Sequence, residues 1–440
     1  MIADIYTTTE KEKMQKESAY FISDTTTEGN LLKVYPKITF QKVIGFGGAF
    51  TESAGYVYAQ LSDENKRKFL EQYFSDNCYN LGRLHIQSCD FSLGNYCYIE
   101  DKNDTNLHSF SLKRDEQYII PLVKDALKLN PDMRFIASPW SPPPFMKTNG
   151  EMNHGGKLKK EYYSMWAKMI AKYVYLYRNN YGIIINRLTV QNEPNATQEW
   201  DSCIFSAEEE ADFACNYLRN ELDNLSLKDV KILCHDHNKD NMLDRAEKIY
   251  SLNNADKIID GIAFHWYSGD HFEALDCLSK KHPDKELFFS EGCVEYSCHK
   301  DKTKFENAQR YIHELIGDFN NGITAVTDWN LLLDEFGGPN HTGNLCEAPI
   351  MYEKNTDTLI INDSYYAIGH FSRFVKSGAK RILVSLGIKL EATAFENPDG
   401  TMAIIVSNNN DKNIPYVLRI GDKTCSLTAK ANCIQTIIIH

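Results

Sequence analysis

Along most of the chain, short runs of consecutive apolar residues alternate with longer stretches whose apolar positions recur every three or four residues. The first pattern suits strands buried on both faces, the second amphipathic helices. Strand-like runs lie at Val43–Phe50, Leu81–Ile86, Arg134–Ala137, Leu188–Val190, Lys231–Cys234, Gly261–Tyr267, Glu286–Phe289 and Ile323–Val326. Between them the spacing predicts helices from Ser62 to Phe74 and over about 115–129, 160–178, 206–222, 240–251, 271–281 and 304–319, with a last one at 364–376. Eight strands in succession, joined by helices or long loops, predict a parallel sheet closed into a (β/α)8 TIM barrel.

From about residue 379 the rhythm changes. Arg381–Val384, Leu390–Phe395, Met402–Val406, Tyr416–Ile420 and Cys433–Ile438 are short strands divided by turn signals such as Asn397-Pro398-Asp399-Gly400, the signature of an attached antiparallel β-sandwich. Leu31–Tyr35 alternates in the same way, so the sandwich is expected to be built from both chain ends. The expected division is 1–40 for N-terminal strands joining the sandwich, 41–378 for the barrel and 379–440 for the C-terminal sandwich.

The strand ends carry the candidate chemistry. Leu188–Val190 stops in Gln191-Asn192-Glu193-Pro194, and Glu286–Phe289 stops in Ser290-Glu291-Gly292. Carboxylates at the C-terminal ends of barrel strands occupy catalytic positions, and strands four and seven can both present side chains to the mouth. Two such groups suit retaining hydrolysis of a glycosidic bond, which needs one acid/base and one nucleophile about 5–5.5 Å apart. Glu193 fits the acid/base, with Asn192 within reach of a sugar 2-hydroxyl, and Glu291 the nucleophile. Crowding two carboxylates should push their pKa values apart, leaving Glu193 to hold a proton near neutrality. Other strand ends supply Asp90, Trp140, His265-Trp266-Tyr267 and Trp329-Asn330, and Trp200 follows in the loop after Glu193. Aromatic faces suit pyranose rings, and Asp, Asn and indole N–H groups suit their hydroxyls. Arg83, inside its strand, fits either a partner for one glutamate or an ordinary buried ion pair.

Composition narrows the partners. Lys and Arg total 48 against 60 Asp and Glu, a net charge of −12, which disfavours nucleic acid and anionic membranes. No apolar run approaches the roughly 20 residues of a membrane span, so no stable membrane insertion is expected. The first residues, Met1-Ile2-Ala3-Asp4, lack a basic region followed by an apolar one, and a cytoplasmic location is the expectation. The 12 cysteines are scattered, and Cys89, Cys215 and Cys234 fall within or beside predicted elements, where a reduced thiol packs as a small hydrophobe. Gly45-Phe46-Gly47-Gly48 is neither a dinucleotide fingerprint nor a phosphate loop. His235-Asp236-His237 should place alternate residues on opposite faces, which suits hydrogen bonding behind the site better than metal ligation. Cys293 and Cys298 have no zinc spacing, and neither metal nor cofactor is expected.

With these residues in place, the chain resembles glycoside hydrolase family 30, the glucosylceramidase-like family. The resemblance rests on Gly45–Glu52, Ser88–Ser92, Ser138–Gly150, Gln191–Pro194, His265–Tyr267, Ser290–Cys293, Thr327–Leu331 and Tyr365–Ser372, in family order along nearly the whole chain. It implies a barrel fused to a sandwich, a retaining mechanism with Glu193 as acid/base and Glu291 as nucleophile, and no cofactor. It further implies that Asp90, Trp140, Asn192, Trp329 and Asn344 line the subsite of the sugar being cleaved. Arg83, His265 and Tyr267 would support the catalytic pair and Trp266 would wall the pocket. A carboxylate at Asp90 suits the 4- and 6-hydroxyls of a hexose. The expected activity is an exo-acting β-glucosidase of glucosylceramidase type on a small carbohydrate or β-glucoside, with a β-1,6-glucanase, a β-xylosidase or an inactive carbohydrate-binding protein as alternatives. The loop Ala196–Asp201 differs from that of the animal lysosomal members and shapes the leaving-group side.

Overall fold

The structure is a computed structural model describing residues 1–252, 254–299 and 301–440. Eight parallel strands close into a barrel in chain order: Gly45–Ala49, Leu81–Ile86, Arg134–Pro139, Ile185–Thr189, Lys231–Asn238, Gly261–His265, Glu286–Glu291 and Ala325–Asn330. The second, seventh and eighth strands are buried at every position, as strands covered on both faces must be. Leu81, Ile136, Leu233, Ala263, Phe288 and Ala325 fill part of the interior. Nearer the strand starts, Arg187 forms a bidentate pair with Glu286 at 2.7 and 2.9 Å.

The outer helices follow the predicted periodicity with shifted ends, for example Ile119–Leu129, Tyr163–Tyr181 and Lys304–Asn320. The helix expected at 206–222 is interrupted: Ala207–Phe213, opened by a Ser206/Glu209 capping box, passes through a wide π turn at Ala214–Leu218 into Arg219–Asn224. Glu52–Gln60, capped by Thr51, forms a further helix directly after the first barrel strand. Its Gly-, Tyr- and Ser-containing sequence has little helical periodicity, which hid it.

The attached domain is one ten-stranded, mostly antiparallel sheet that uses both chain ends. Ile2–Thr8 lies between Gln15–Tyr20 and Cys433–Ile439, and Leu31–Lys42 pairs with Lys380–Leu386. The parallel pairing of residues 31–34 with 417–420 is the exception to the antiparallel rule. Lys423–Ala429 is a strand that its polar, weakly alternating sequence did not announce. His370, in the helix Asp363–Ser372, is fixed between Thr436 and Thr8 at 2.8 Å on each ring nitrogen, tying barrel to sandwich. Among the described residues no helix is long and apolar enough to cross a membrane.

Candidate active site

The loops after the strand ends enclose a cavity of about 230 Å3, lined among others by Asp90, Trp140, Asn192, Glu193, Tyr267, Glu291, Trp329 and Asn344. A roomier hollow of about 860 Å3 on the sandwich has neither tryptophan nor histidine in its lining. The chemistry therefore concentrates at the barrel mouth.

Glu291 ends the seventh strand and is held by two groups. Arg83 Nη1 reaches its Oε2 at 2.5 Å, and the Tyr267 hydroxyl donates to its Oε1 at 3.0 Å. Arg83 is fully buried; its Nη2 donates to Asp236 Oδ2 and Asn192 Oδ1, both at 2.9 Å. Its guanidinium also lies 4.9 Å from the centre of the Trp140 ring and 5.4 Å from that of Trp329. Both roles weighed for Arg83 are thus realised at once, a partner for Glu291 and a buried ion pair with Asp236.

Glu193 stands in the left-handed region, at φ 47°, just beyond the fourth strand. Such a backbone in a non-glycine residue is strained unless its surroundings impose it. Here the Glu193 N–H is fixed by the carbonyl of Asp236 at 2.9 Å. The side chain is held at both oxygens, Oε1 by His265 Nδ1 at 3.3 Å and Oε2 by Gln198 Nε2 at 3.1 Å. Glu193, His265 and Glu291 bring ligating atoms within 4.8 Å of one another, so the two carboxyl groups are spaced for a retaining displacement. The same three are the one cluster among the described residues with metal-binding spacing. The adjacent Arg83 cation, and the commitment of both His265 nitrogens to carboxylates, oppose a metal there.

Asp236 fills the hydrogen-bonding role behind the site expected of His235-Asp236-His237, but from a direction that alternation does not give. The fifth strand bulges against the sixth between Ala263 and Phe264, and His235 and Asp236 both take positive φ, 75° and 45°. Simple alternation fails there, and the Asp236 carboxylate enters the barrel. It accepts from Arg83, Ser138, Thr189 and Ser290 and faces His265 Nε2 at 3.2 Å. Burial alone would raise Asp236, but Arg83 and His265 outweigh it and hold its carboxyl below the usual carboxylate range.

The proton distribution departs from expectation. Burial disfavours charge on His265, yet the surrounding Glu291, Asp236 and Glu193 carboxylates lift its pKa to about 9. Burial would likewise raise Glu193, but the hydrogen bond and charge of His265, with His237 nearby, bring it down to about 2. The surroundings thus favour the proton on His265 over Glu193, the reverse of the expectation that crowding with Glu291 would leave it on Glu193. Asp90 moves the other way: burial, then the charges of Glu291, Asp201 and Glu193, push it up to about 8.

Asp90 accepts from Asn340 at 3.2 Å and from Asn344 at 3.5 Å. His341, from the same loop, pairs with Asp201 at 3.3 Å, joining the loop after strand eight to the one after strand four. Trp140 and Trp329 stack at 5.4 Å. One expected pocket residue lies elsewhere. Trp266 is buried behind the seventh strand, donating to the Cys293 carbonyl at 3.2 Å and packed between Phe289, Tyr311 and the Arg310 guanidinium. His265 and Tyr267 on either side of it face the cavity, so strand alternation turns Trp266 outward. Gln198, Asn340 and His341 are further site residues that were not singled out; each sits in a loop without periodic signal.

A (β/α)8 barrel that offers two closely spaced glutamates to a cavity walled by tryptophan, asparagine and aspartate is a glycoside hydrolase. The sequence matches the Glycosyl hydrolase family 30 TIM-barrel domain over residues 43–375 and the Glycosyl hydrolase family 30 beta sandwich domain over 378–437. It is 34% identical to the lysosomal acid glucosylceramidase of Mus musculus over 417 residues, 90% of this chain and 81% of that one. The structure superimposes on SrfJ from Salmonella typhimurium with a TM-score of 0.97 at 42% identity, covering 100% of both chains. The endo-beta1,6-glucanase BT3312 matches with a TM-score of 0.88 at 28% identity, covering 99% of each. The chain belongs to glycoside hydrolase family 30, and its mechanism is the retaining, two-glutamate one of that family.

Proposed function

We propose that this enzyme is an exo-acting β-glucosidase of glucosylceramidase type, with Glu291 as nucleophile and Glu193 as acid/base. The observation that carries the reading is the unequal support of the two glutamates around a small cavity. Glu291 is bound by a guanidinium and a tyrosine hydroxyl, which suits an anionic nucleophile. Among the described residues Glu193 faces no fixed cation at hydrogen-bond distance, only the titratable His265 imidazole across 3.3 Å and the Gln198 amide, which suits a group that must gain and lose a proton. When a sugar displaces water, the low-dielectric site disfavours the imidazolium–carboxylate pair, and the proton passes from His265 Nδ1 to Glu193. Glu291 then attacks the anomeric carbon while Glu193 protonates the departing oxygen. In the second step Glu193 takes a proton from water, which attacks the same carbon and releases Glu291.

The cavity of about 230 Å3 lies below the roughly 300–1,000 Å3 of drug-sized sites, which favours one monosaccharide over an open cleft. Asp90, with Asn340 and Asn344, supports hexose hydroxyl recognition. A β-1,6-glucanase is the second reading, favoured by the polar, aromatic leaving-group side formed by Gln198, Trp200, Asn238 and Glu295. Hydrolysis of 4-nitrophenyl β-glucoside, β-xyloside, β-galactoside, β-fucoside and gentiobioside, with the released anomer followed by NMR, tests the proposal. Release of β-glucose from the glucoside supports it. Silence on every monosaccharide with turnover of the gentiobioside replaces it with the glucanase.

A further inference from the structure

Gln198 touches the acid/base directly, and nothing in the double displacement described above requires it. It belongs to the loop between Pro194 and Cys203, whose backbone is fixed from several sides. The Gln198 N–H donates to Ser202 Oγ at 3.2 Å, and its carbonyl accepts from the His154 N–H at 2.8 Å. Asn153 donates to the Glu199 carbonyl at 2.9 Å. Asp201 accepts from Ser88 at 2.5 Å and Asn95 at 3.0 Å and pairs with His341. The loop therefore has little freedom, and it aims the Gln198 amide at Glu193 Oε2, 3.1 Å away. That amide has no other hydrogen-bonding partner among the described residues, and Gln198 lines the catalytic cavity.

A glutamine has a property that a lysine, arginine or second carboxylate in this place would lack. Its amide offers a donor at one corner and an acceptor at the other, exchanged by a half-turn about its last torsion. The acid/base of a retaining glycosidase must keep one orientation through two ionisation states, a carboxylic acid before the first proton transfer and a carboxylate after it. We propose that Gln198 is the positioning residue that spans both states of Glu193. Its NH2 holds Oε2 while the group is a carboxylate, and its C=O, turned over, accepts from the acid. His265 serves the other oxygen and Gln198 keeps the carboxyl plane from rotating about that single hinge. The charged and titratable groups facing Glu193 are His265, His237, Glu291 and Asp90, with Asp236 and Arg83 acting through His265 and Glu291. Gln198 is the neutral member of this set: its N–H to the carboxylate is the stronger of its two contacts, so it leans Glu193 toward the ionised form while still accepting from the acid, which a fixed cation could not do.

The test compares Gln198→Leu and Gln198→Glu with the wild type on the aryl glycoside that the wild type cleaves. Each is assayed with an activated, 2,4-dinitrophenolate leaving group and with an unactivated one, across pH. The inference rests on the glutamate roles and not on glucose as the sugar, so failure of the glucoside reading leaves it testable on an aryl gentiobioside. Gln198→Leu should lower kcat/KM for the unactivated substrate about tenfold, the scale of one hydrogen bond to a charged group. The first step on the activated substrate, read as the rate of Glu291 labelling by the 2-fluoro sugar, should stay near wild type. The alkaline limb of kcat, which reports the proton on Glu193 in the substrate complex, should move up by about one pH unit, because the carboxylate has lost a donor. Gln198→Glu should move that limb further, since two adjoining carboxyl groups share one proton. Equal losses on both substrates with an unmoved alkaline limb in both variants, or no loss at all, would overturn the proposal. If Gln198→Leu does not fold, Gln198→Glu, which keeps size and shape, decides through the limb alone.

Discussion

Replacing Arg83 with methionine probes the central ion cluster. The guanidinium is fully buried and serves Glu291 at 2.5 Å, Asp236 at 2.9 Å and Asn192 at 2.9 Å. Methionine fills much of the volume but leaves two carboxylates facing each other in a desolvated site. Removing one partner of a buried pair costs about 3–5 kcal/mol, most of it the burden of the abandoned charge. At about 2.1 cal/mol/K per residue over 440 residues, the unfolding entropy is about 0.9 kcal/mol/K, so Tm should fall by about 3–5 °C at pH 7. The deficit should depend on pH in a determined direction. In the wild type the Asp236 carboxyl is depressed, so its contribution is present above the ordinary carboxylate pKa near 3.9 and is lost as pH falls. In the variant that carboxyl lacks its cation, and protonating it relieves the strain. The Tm gap between the proteins should therefore be widest near pH 7 and should shrink towards pH 4. Differential scanning calorimetry from pH 4 to 7.5 reads this, and kcat/KM at each pH should fall steeply because Glu291 has lost its counter-charge. A gap that stays constant with pH, or stays below about 1 °C at pH 7, would refute the account of Arg83 as the compensating charge.

Changing Glu291 to Gln should abolish covalent labelling by a 2-fluoro glycoside, read by intact mass, and wild-type labelling would exclude it as the nucleophile. Glu193→Ala should slow substrates with poor leaving groups far more than activated ones, since an activated aglycone needs no proton donor; equal losses would count against the acid/base role. Asp90→Asn should lose sugar binding yet gain stability at alkaline pH. The buried carboxyl, pushed up to about 8, costs the wild type more and more stability as pH rises from about 4 to 8, so the Tm advantage of the variant should be larger at pH 8.5 than at pH 4.5. His265, raised to about 9, stabilises the fold fully below about pH 6.5 and loses that contribution as pH rises through 9. His265→Gln should therefore flatten the Tm profile between pH 6.5 and 9, and an unchanged slope would show the imidazolium to be unimportant there.

What could be read in the sequence and what could not divides along one physical line. The barrel was legible because strands covered on both faces are written as unbroken apolar runs, and Asn192-Glu193-Pro194 and Ser290-Glu291-Gly292 interrupt two of them abruptly. Trp266 was placed in the pocket by its strand-end position as well as by resemblance, where plain alternation between His265 and Tyr267 turns it outward. For Asp236 the supporting role was legible but the direction was not: alternation along His235-Asp236-His237 turns it away from the barrel, and a bulge, which is a mismatch of register with the neighbouring strand, turns it in. No local pattern encodes such a mismatch, because it depends on residues about thirty positions away. Gln198 was hidden similarly, its direction set by Ser202 and Asp201 later in its own loop and by His154 and Asn153 from another segment.

The residues that carry charge into the barrel are thus aimed by long-range fit, whereas the two glutamates are announced locally. That difference has a functional logic. A glutamate at a strand end is easily acquired, but on its own it has neither a fixed orientation nor a controlled proton. Orientation comes from the left-handed turn at Glu193, and that turn is held by the Asp236 carbonyl. Proton control comes from His265, and the Asp236 carboxylate supports its charge. One bulged residue therefore fixes the backbone of the acid/base and the ionisation of its partner together. A substitution that removes the carboxylate but keeps the bulge, Asp236→Asn, should separate the two effects, leaving Glu193 in place while His265 gives up its proton at lower pH. The alkaline limb of kcat/KM should then move down, and a limb at its wild-type position would mean that Glu291 and Glu193 alone sustain the imidazolium.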